Sequence, residues 1–327
     1  IGAEIGFIDN RINIEADWYT RNNFDLIGLI YTKGTGGQLA KFANVASMKS
    51  SGVEFTVSTR NIKTKDFSWN TDFIFSHTKN EVTDLQSNAS VMDMISGNGF
   101  AMEGYPVRAL FSMDFQGLNE NGYPTFINEK GQLTVSDINF QEQLKKDHLV
   151  YEGPTDPTMT GSLGNIFRYK GFTLNAFITY SFGNVIRLDP VFHNVYSDLD
   201  AMPREFINRW TAGGDEKVTN VPVIADKRAN QQDPYLSYAY NAYNYSTERI
   251  AKGDFIRMKE LSLSYNFPKK MISRLKVNDL SLKIQATNLF LIYSDKKLNG
   301  QDPEFFNTGG VASPVPRQFT LTLRLGI

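Results

Sequence analysis

Apolar and polar residues alternate with a period of two along most of this chain. Between Arg11 and Arg21, Ile12, Ile14, Ala16 and Trp18 are apolar, whereas Arg11, Asn13, Glu15 and Asp17 are polar. Val53, Phe55 and Val57 alternate with Glu54, Thr56 and Ser58, and Phe67, Trp69, Phe73 and Phe75 alternate with Ser68, Asn70 and Asp72. Further runs are Phe172 to Tyr180, Leu261 to Phe267, Leu280 to Ala286 and the final Phe319, Leu321, Leu323, Leu325 and Ile327. Successive side chains of a strand point to opposite faces, so each run predicts a strand with one apolar and one polar face.

Soluble sandwiches alternate in the same way. Length and connections separate the two cases. The predicted strands run for about 9 to 12 residues, against a usual soluble length of about 5 to 6. Connections are by turns tight and long. Asp9-Asn10, Asn61 to Asp66 and Lys170-Gly171 are tight, whereas 22–50, 79–105, 183–254 and 292–316 are long. Short turns on one rim and long loops on the other describe an outer-membrane barrel. The predicted fold class is therefore all-β, a transmembrane antiparallel β-barrel with short periplasmic turns and long extracellular loops.

Parity sharpens this. If the last strand, about 317–327, ends in the periplasm, the turns at 268–278, 170–171, 61–66 and 9–10 fall on that side. With spanning strands at about 106–116 and 160–169, one crossing is missing. A further strand is expected between 117 and 159, at Tyr123 to Ile127 or Leu133 to Ile138, for about 11 strands in all. Plugged barrels have about 22 strands, and open edges do not occur in lipid. Residues 1–327 are thus expected to be the C-terminal half of a wall completed by an N-terminal part.

Composition agrees. Aromatics reach 13%, with 24 Phe and 15 Tyr, which favours strands. A net charge of -1 leaves no basic footprint for nucleic acid. Three His and no Cys offer little for a zinc site or a thiol nucleophile. No stretch approaches the roughly 18 apolar residues of a membrane helix, and barrel strands need none. The chain opens on Ile1 inside a predicted strand, so it is read as a fragment or processed piece.

A set of ordered motifs adds a family. Gly253 to Pro268 (GDFIRMKELSLSYNFP), Ala286 to Phe290 (ATNLF), Asp302-Pro303-Glu304 and the closing Pro316 to Ile327 resemble SusC/RagA-type TonB-linked outer-membrane proteins. So do Ser51 to Phe55, Tyr169 to Phe172, Arg209-Trp210 and Val221-Pro222. The terminal residue, commonly aromatic in the family, is Ile327, and its acidic loop is reduced to Asn119 to Gly122 and Asn128 to Gly131, which argues against calcium there. The resemblance implies a plug inside the barrel, engagement of TonB through that plug, and a SusD-like surface lipoprotein as a lid. It also implies residence in the bacterial outer membrane among its lipids, and import of glycan or peptide fragments. No enzyme activity and no cofactor are expected.

Few residues point to chemistry. His77, His148 and His193 stand far apart, and Gly34 to Gly37 lacks the Lys-Ser/Thr and helix of a phosphate loop. Tyr235, Tyr238, Tyr240, Tyr243 and Tyr245 are candidate contacts for substrate or lid, because a tyrosine ring offers rigid apolar area with a polar tip. Packing within the loop and an aromatic girdle are the alternatives. Trp18, Tyr19, Trp69, Tyr265 and Tyr293 are candidate membrane-interface aromatics. Asp200 to Trp210 predicts a short helix with Phe206 and Trp210 on one face packing onto the barrel rim, and Met271 to Leu275 a helical turn. An assembly subunit of an outer-membrane complex and a soluble glycan-binding module are the competing functions.

Overall fold

The computed structural model describes residues 1–327 except 32–35, 38–39, 87–88, 198, 200–201, 274–276, 307–313, 315 and 327. Nine strands form one antiparallel sheet: β1 (Gly2–Phe7), β2 (Ile12–Tyr31), β3 (Ala40–Lys63), β4 (Phe67–Leu85), β10 (Met159–Tyr169), β11 (Phe172–Phe182), β14 (Phe255–Asn266), β15 (Asp279–Ser294) and β16 (Gln318–Gly326). Neighbours in the sheet follow chain order throughout. The smaller strands β5 (Ala109–Met113), β6 (Phe115–Leu118), β7 (Pro124–Ile127), β8 (Leu133–Thr134), β9 (Leu149–Pro154), β12 (Val185–Arg187) and β13 (Ile250–Lys252) lie in the long connections.

Register turns the alternation into two faces. Ile14, Val57, Phe73, Leu163, Ile178, Met258 and Phe290 are successive partners across seven strands, a continuous apolar row. The adjacent row on the other face runs Asn13, Ser58, Asp72, Gly164, Phe177, Glu260, Thr287 and Gln318. One face thus suits hydrocarbon and the other water, as the wall of a membrane barrel requires. At the short-turn rim, Phe67, Tyr169, Phe172 and Tyr265 pair in one aromatic row of the apolar face. Lys170-Gly171 is a two-residue hairpin with Lys170 left-handed at φ 53, the backbone such turns require.

The strand count corrects the expectation of about 11. Nine crossings already place the connections 8–11, 64–66, 170–171 and 267–278 on one side and 32–39, 86–158, 183–254 and 295–317 on the other. No spanning strand lies between 117 and 159 among the described residues. Ala109 to Met113 does not span either: it is wholly buried and pairs with β9 in a separate two-stranded sheet. Pro124 to Ile127 and Leu133-Thr134 form a small sheet with β6. No strand spans at 106–116, so no crossing is missing and the expectation of a further spanning strand within 117–159 fails. Ile327 falls outside the described residues.

The wall strands also run further than alternation predicted. β3 has 24 residues, about 80 Å at 3.3 Å per residue, well beyond a hydrocarbon core of about 30 Å. The early strands therefore project past the membrane on the long-loop side. There the two largest connections fold together into a cap with one core. Val91, Ile95, Met113, Phe126 and Ile138 from 86–158 pack with Phe192, Phe206, Leu236, Tyr240 and Tyr243 from 183–254. α1 (Val91–Ile95) enters that core behind a capping box between Ser90 and Asp93.

Close strand approach depends on one glycine in particular. The Tyr180 ring lies over Gly161 and its hydroxyl donates to the Ile74 carbonyl at 2.9 Å, two strands away. A Cβ at Gly161 would fall against that carbonyl and the tyrosine hydroxyl. Gly161→Ala is expected to cost about 1–3 kcal/mol by forcing both to move, read as a lower urea midpoint for the full-length protein in detergent. An unchanged midpoint would show that the sheet absorbs the methyl freely.

Candidate functional site

The polar face of the wall and the underside of the cap enclose a cleft. One part, of about 900 Å³, is lined by Arg187, Asp189, Tyr245, Arg257, Gln301 and Asp302 among others. A second, of about 690 Å³, shares Gly97, Asn98 and Phe306 with it and extends along Ser162, Thr179, Ser181 and Lys259 of the wall. Hydroxyls, carboxamides and charges are thus interspersed with apolar surface in the lining. Such a surface hydrogen-bonds a polar solute and leaves the path hydrated.

Three buried arginines build the roof and fix it to the wall. Arg187, at the end of β12, donates to the Ser246 carbonyl at 2.8 Å, the Phe111 carbonyl at 2.6 Å and the Ser112 hydroxyl at 3.1 Å. It thereby joins both long connections. Burial pulls its pKa down to about 9, and the nearby Glu152 carboxylate opposes that shift. Burial likewise raises the Glu152 carboxyl above the usual range. Arg249 pairs with Glu205 at 2.5 Å, donates to the Asp189 carbonyl at 3.2 Å and lies over the Phe192 ring. Arg257, on β14, pairs with Asp302 at 2.5 Å and Glu304 at 3.2 Å, holding the last long connection against the wall. Ion pairs so shielded are screened far less than surface ones.

Comparison with known proteins gives the setting of this cleft. No protein-family model matches the chain. TonB-dependent receptor P3 of Formosa agariphila is 24% identical over 93% of this chain and 30% of its own length. TonB-dependent receptor SusC of Bacteroides thetaiotaomicron is 25% identical over 100% of this chain and 31% of its own. The solved structure of the RagAB peptide transporter superposes with a TM-score of 0.76 at 21% identity, over 99% of this chain and 34% of that one. Over nearly its whole length the chain is similar to SusC/RagA-type TonB-dependent receptors. It spans about a third of the length of the curated relatives it matches. Its sheet shares the β-barrel wall fold of the RagAB structure, and these relatives are receptors and transporters by name.

Within this receptor segment the five loop tyrosines divide. Tyr240 and Tyr243 are each only 1% exposed, on α2 (Leu236–Asn244) in the middle of the cap core. Burial raises both phenols, and the Tyr240 hydroxyl donates to the Val223 carbonyl at 2.5 Å. Neither ring is available to a substrate or lid, which corrects that part of the expectation. Three- and four-residue spacing put them on one helical face, and that face was needed for packing. Tyr245 lines the cleft, where the Arg187 guanidinium lies 5.8 Å from its ring centroid. Tyr235 and Tyr238 are 61% and 43% exposed, with ring centroids 5.8 Å apart.

The interface aromatics divide too. Trp18, Trp69, Tyr265 and Tyr293 sit on the apolar face by register. Tyr19 does not: it follows Trp18 in the strand, faces the polar side, and hydrogen-bonds through its hydroxyl to Thr78 at 3.0 Å across Gly52. Phe206 and Trp210 pack within the cap and not on the barrel rim. Phe206 meets Phe192 and Tyr196, and the Trp210 ring covers Gly122. The helix there is a 3-10 turn, Arg204–Asn208, and the Asp200 end lies outside the described residues. The helical turn expected over Met271 to Leu275 is α3 (Lys269–Ile272), with Leu275 outside the described residues. Of the glycine run, Gly34 and Thr35 are likewise outside them. The Asn119 and Asn128 side chains accept backbone N–H bonds of their own turns, from Asn121 and Tyr123 and from Lys130 and Gln132. The buried arginines were the residues that sequence reasoning passed over. Arg257 stood inside the GDFIRMKELSL motif, where a charge amid apolar residues was its only signal.

Proposed function

We propose that this chain supplies the C-terminal half of the wall and an extracellular cap of a receptor that imports glycan or peptide fragments under TonB control. In this reading the other strands and the plug come from the remainder of the receptor, and a SusD-like lipoprotein closes over the cap. The observation that carries the reading is the cleft of mixed polar and apolar lining between cap and wall, where a solute entering from outside would first meet the inner face. RagAB, which shares the fold, is a peptide transporter by its description. That favours small polymers with many hydrogen-bonding groups.

The test is uptake of labelled oligosaccharides and peptides by cells carrying the full-length receptor. Uptake is expected to vanish when TonB is removed. Replacing the exposed pair, Tyr235→Ala with Tyr238→Ala, is expected to weaken binding of the lid or the solute about tenfold, since truncating aromatic anchors costs about 1–2 kcal/mol or more. Unaltered uptake after deleting the receptor, together with loss of an assembled outer-membrane complex, would replace import with the assembly role.

A further inference from the structure

The short-turn rim has an uneven charge. Its turns and the strand ends beside them carry Lys63, Lys65, Lys170, Lys269 and Lys270, all exposed, against Asp9, Asp66 and Asp279. Arg11, Arg60 and Lys63 line a hollow of about 330 Å³ together with Asn61 and Ile62. The Arg11 guanidinium is held there by the Arg60 carbonyl at 2.8 Å and by the Asn61 carbonyl.

These cations sit immediately beyond the aromatic row of the apolar face. The Lys170 ammonium lies 5.2 Å from the centroid of the Tyr169 ring, so it reaches toward the lipid side of the wall. Tyr169 and Phe172 beside it are both about half exposed. Aromatic rings at headgroup depth followed outward by cations match the layering of a lipid leaflet, with acyl chain, glycerol and then phosphate. A zwitterionic headgroup leaves this excess of positive charge unanswered, and an anionic one neutralises it.

We propose that this rim binds anionic phospholipid headgroups of the periplasmic leaflet, with Lys65, Lys170, Lys269 and Lys270 as the principal contacts; the Arg11–Arg60–Lys63 hollow lies on the polar face by register and takes no part. The proposal rests on the barrel orientation given above. Failure of that reading would show as a receptor that does not enter a bilayer, whereas failure of this proposal leaves an inserted receptor with no lipid preference.

The experiment places the full-length receptor in nanodiscs of phosphatidylcholine doped with phosphatidylglycerol and measures the lipids retained by native mass spectrometry. Phosphatidylglycerol is expected to be enriched over its bulk share. Combining Lys65→Gln, Lys170→Gln, Lys269→Gln and Lys270→Gln should reduce its relative affinity by well over about fivefold, the worth of a single lysine near a charged surface. Raising the salt on the unaltered receptor should weaken the preference without any substitution, which keeps the test valid if the variant folds poorly. Equal retention of both lipids, or a preference indifferent to salt, would each overturn the proposal.

Discussion

Arg187→Met in the full-length receptor is expected to destabilise the cap by about 3–5 kcal/mol while leaving the wall intact. The guanidinium is 3% exposed and satisfies Phe111 and Ser112 from one connection and Ser246 from the other. Methionine fills similar space but donates nothing, so two carbonyls and a hydroxyl lose their partner, and Glu152 loses a compensating charge. Hydrogen exchange should quicken across 86–158 and 183–254 together and stay slow in β3, β4, β10 and β11. The variant should also acquire a pH dependence. Burial already raises the Glu152 carboxyl, and removing Arg187 raises it further. A raised acid binds more protons folded than unfolded, so stability falls as pH rises from the unfolded value toward the folded one. Acidification toward pH 5 should therefore restore part of the loss, and adding Glu152→Gln should abolish that recovery. Exchange that quickened in one connection alone would refute the joining role.

Tyr243→Ala is expected to cost a similar amount, about 3–5 kcal/mol, by a different route. Its ring meets Phe115 at 5.5 Å and Phe192 at 4.9 Å, both edge to face, one from each long connection. Truncation leaves a cavity that the packed neighbours fill only in part. Tyr243→Phe keeps the ring and should stay within about 1 kcal/mol. Tyr240→Phe removes the donor to the Val223 carbonyl and should cost about 1–3 kcal/mol. Limited proteolysis of the receptor in detergent ranks the three, and Tyr243→Phe behaving like Tyr243→Ala would contradict ring packing as the cause.

The wall was legible because each strand has one partner medium per face. Leu261, Leu263 and Tyr265 against Ser262 and Ser264 can be read without knowing their neighbours. The cap was not legible, since its strands bury both faces. Ala109 to Met113 shows an apolar run that resembles part of a spanning strand, yet every residue in it is buried within the cap. The upper parts of β2 and β3 were hidden for another reason. Register shifts between Asn23 and Leu26, and between Ser47 and Met48, interrupt the period of two where the strands leave the membrane. Within the candidate site, Tyr240 and Tyr243 were singled out for their rings alone, and sequence offered no means to tell which rings face inward. The Arg257 pairing with Asp302 joins residues 45 positions apart, beyond any local pattern.

The common core of the two largest connections bears on how receptors of this type diversify. Val91 and Phe126 from one segment interlock with Phe192 and Tyr243 from the other, so neither segment can be exchanged without meeting an ill-fitting partner. Transplanting 86–158 alone from a relative should give a receptor that inserts but exposes a misfolded top. Transplanting 86–158 together with 183–254 should give a working chimera. Specificity in such a receptor would then be inherited as a matched pair of segments, a heritable cassette split by two wall strands.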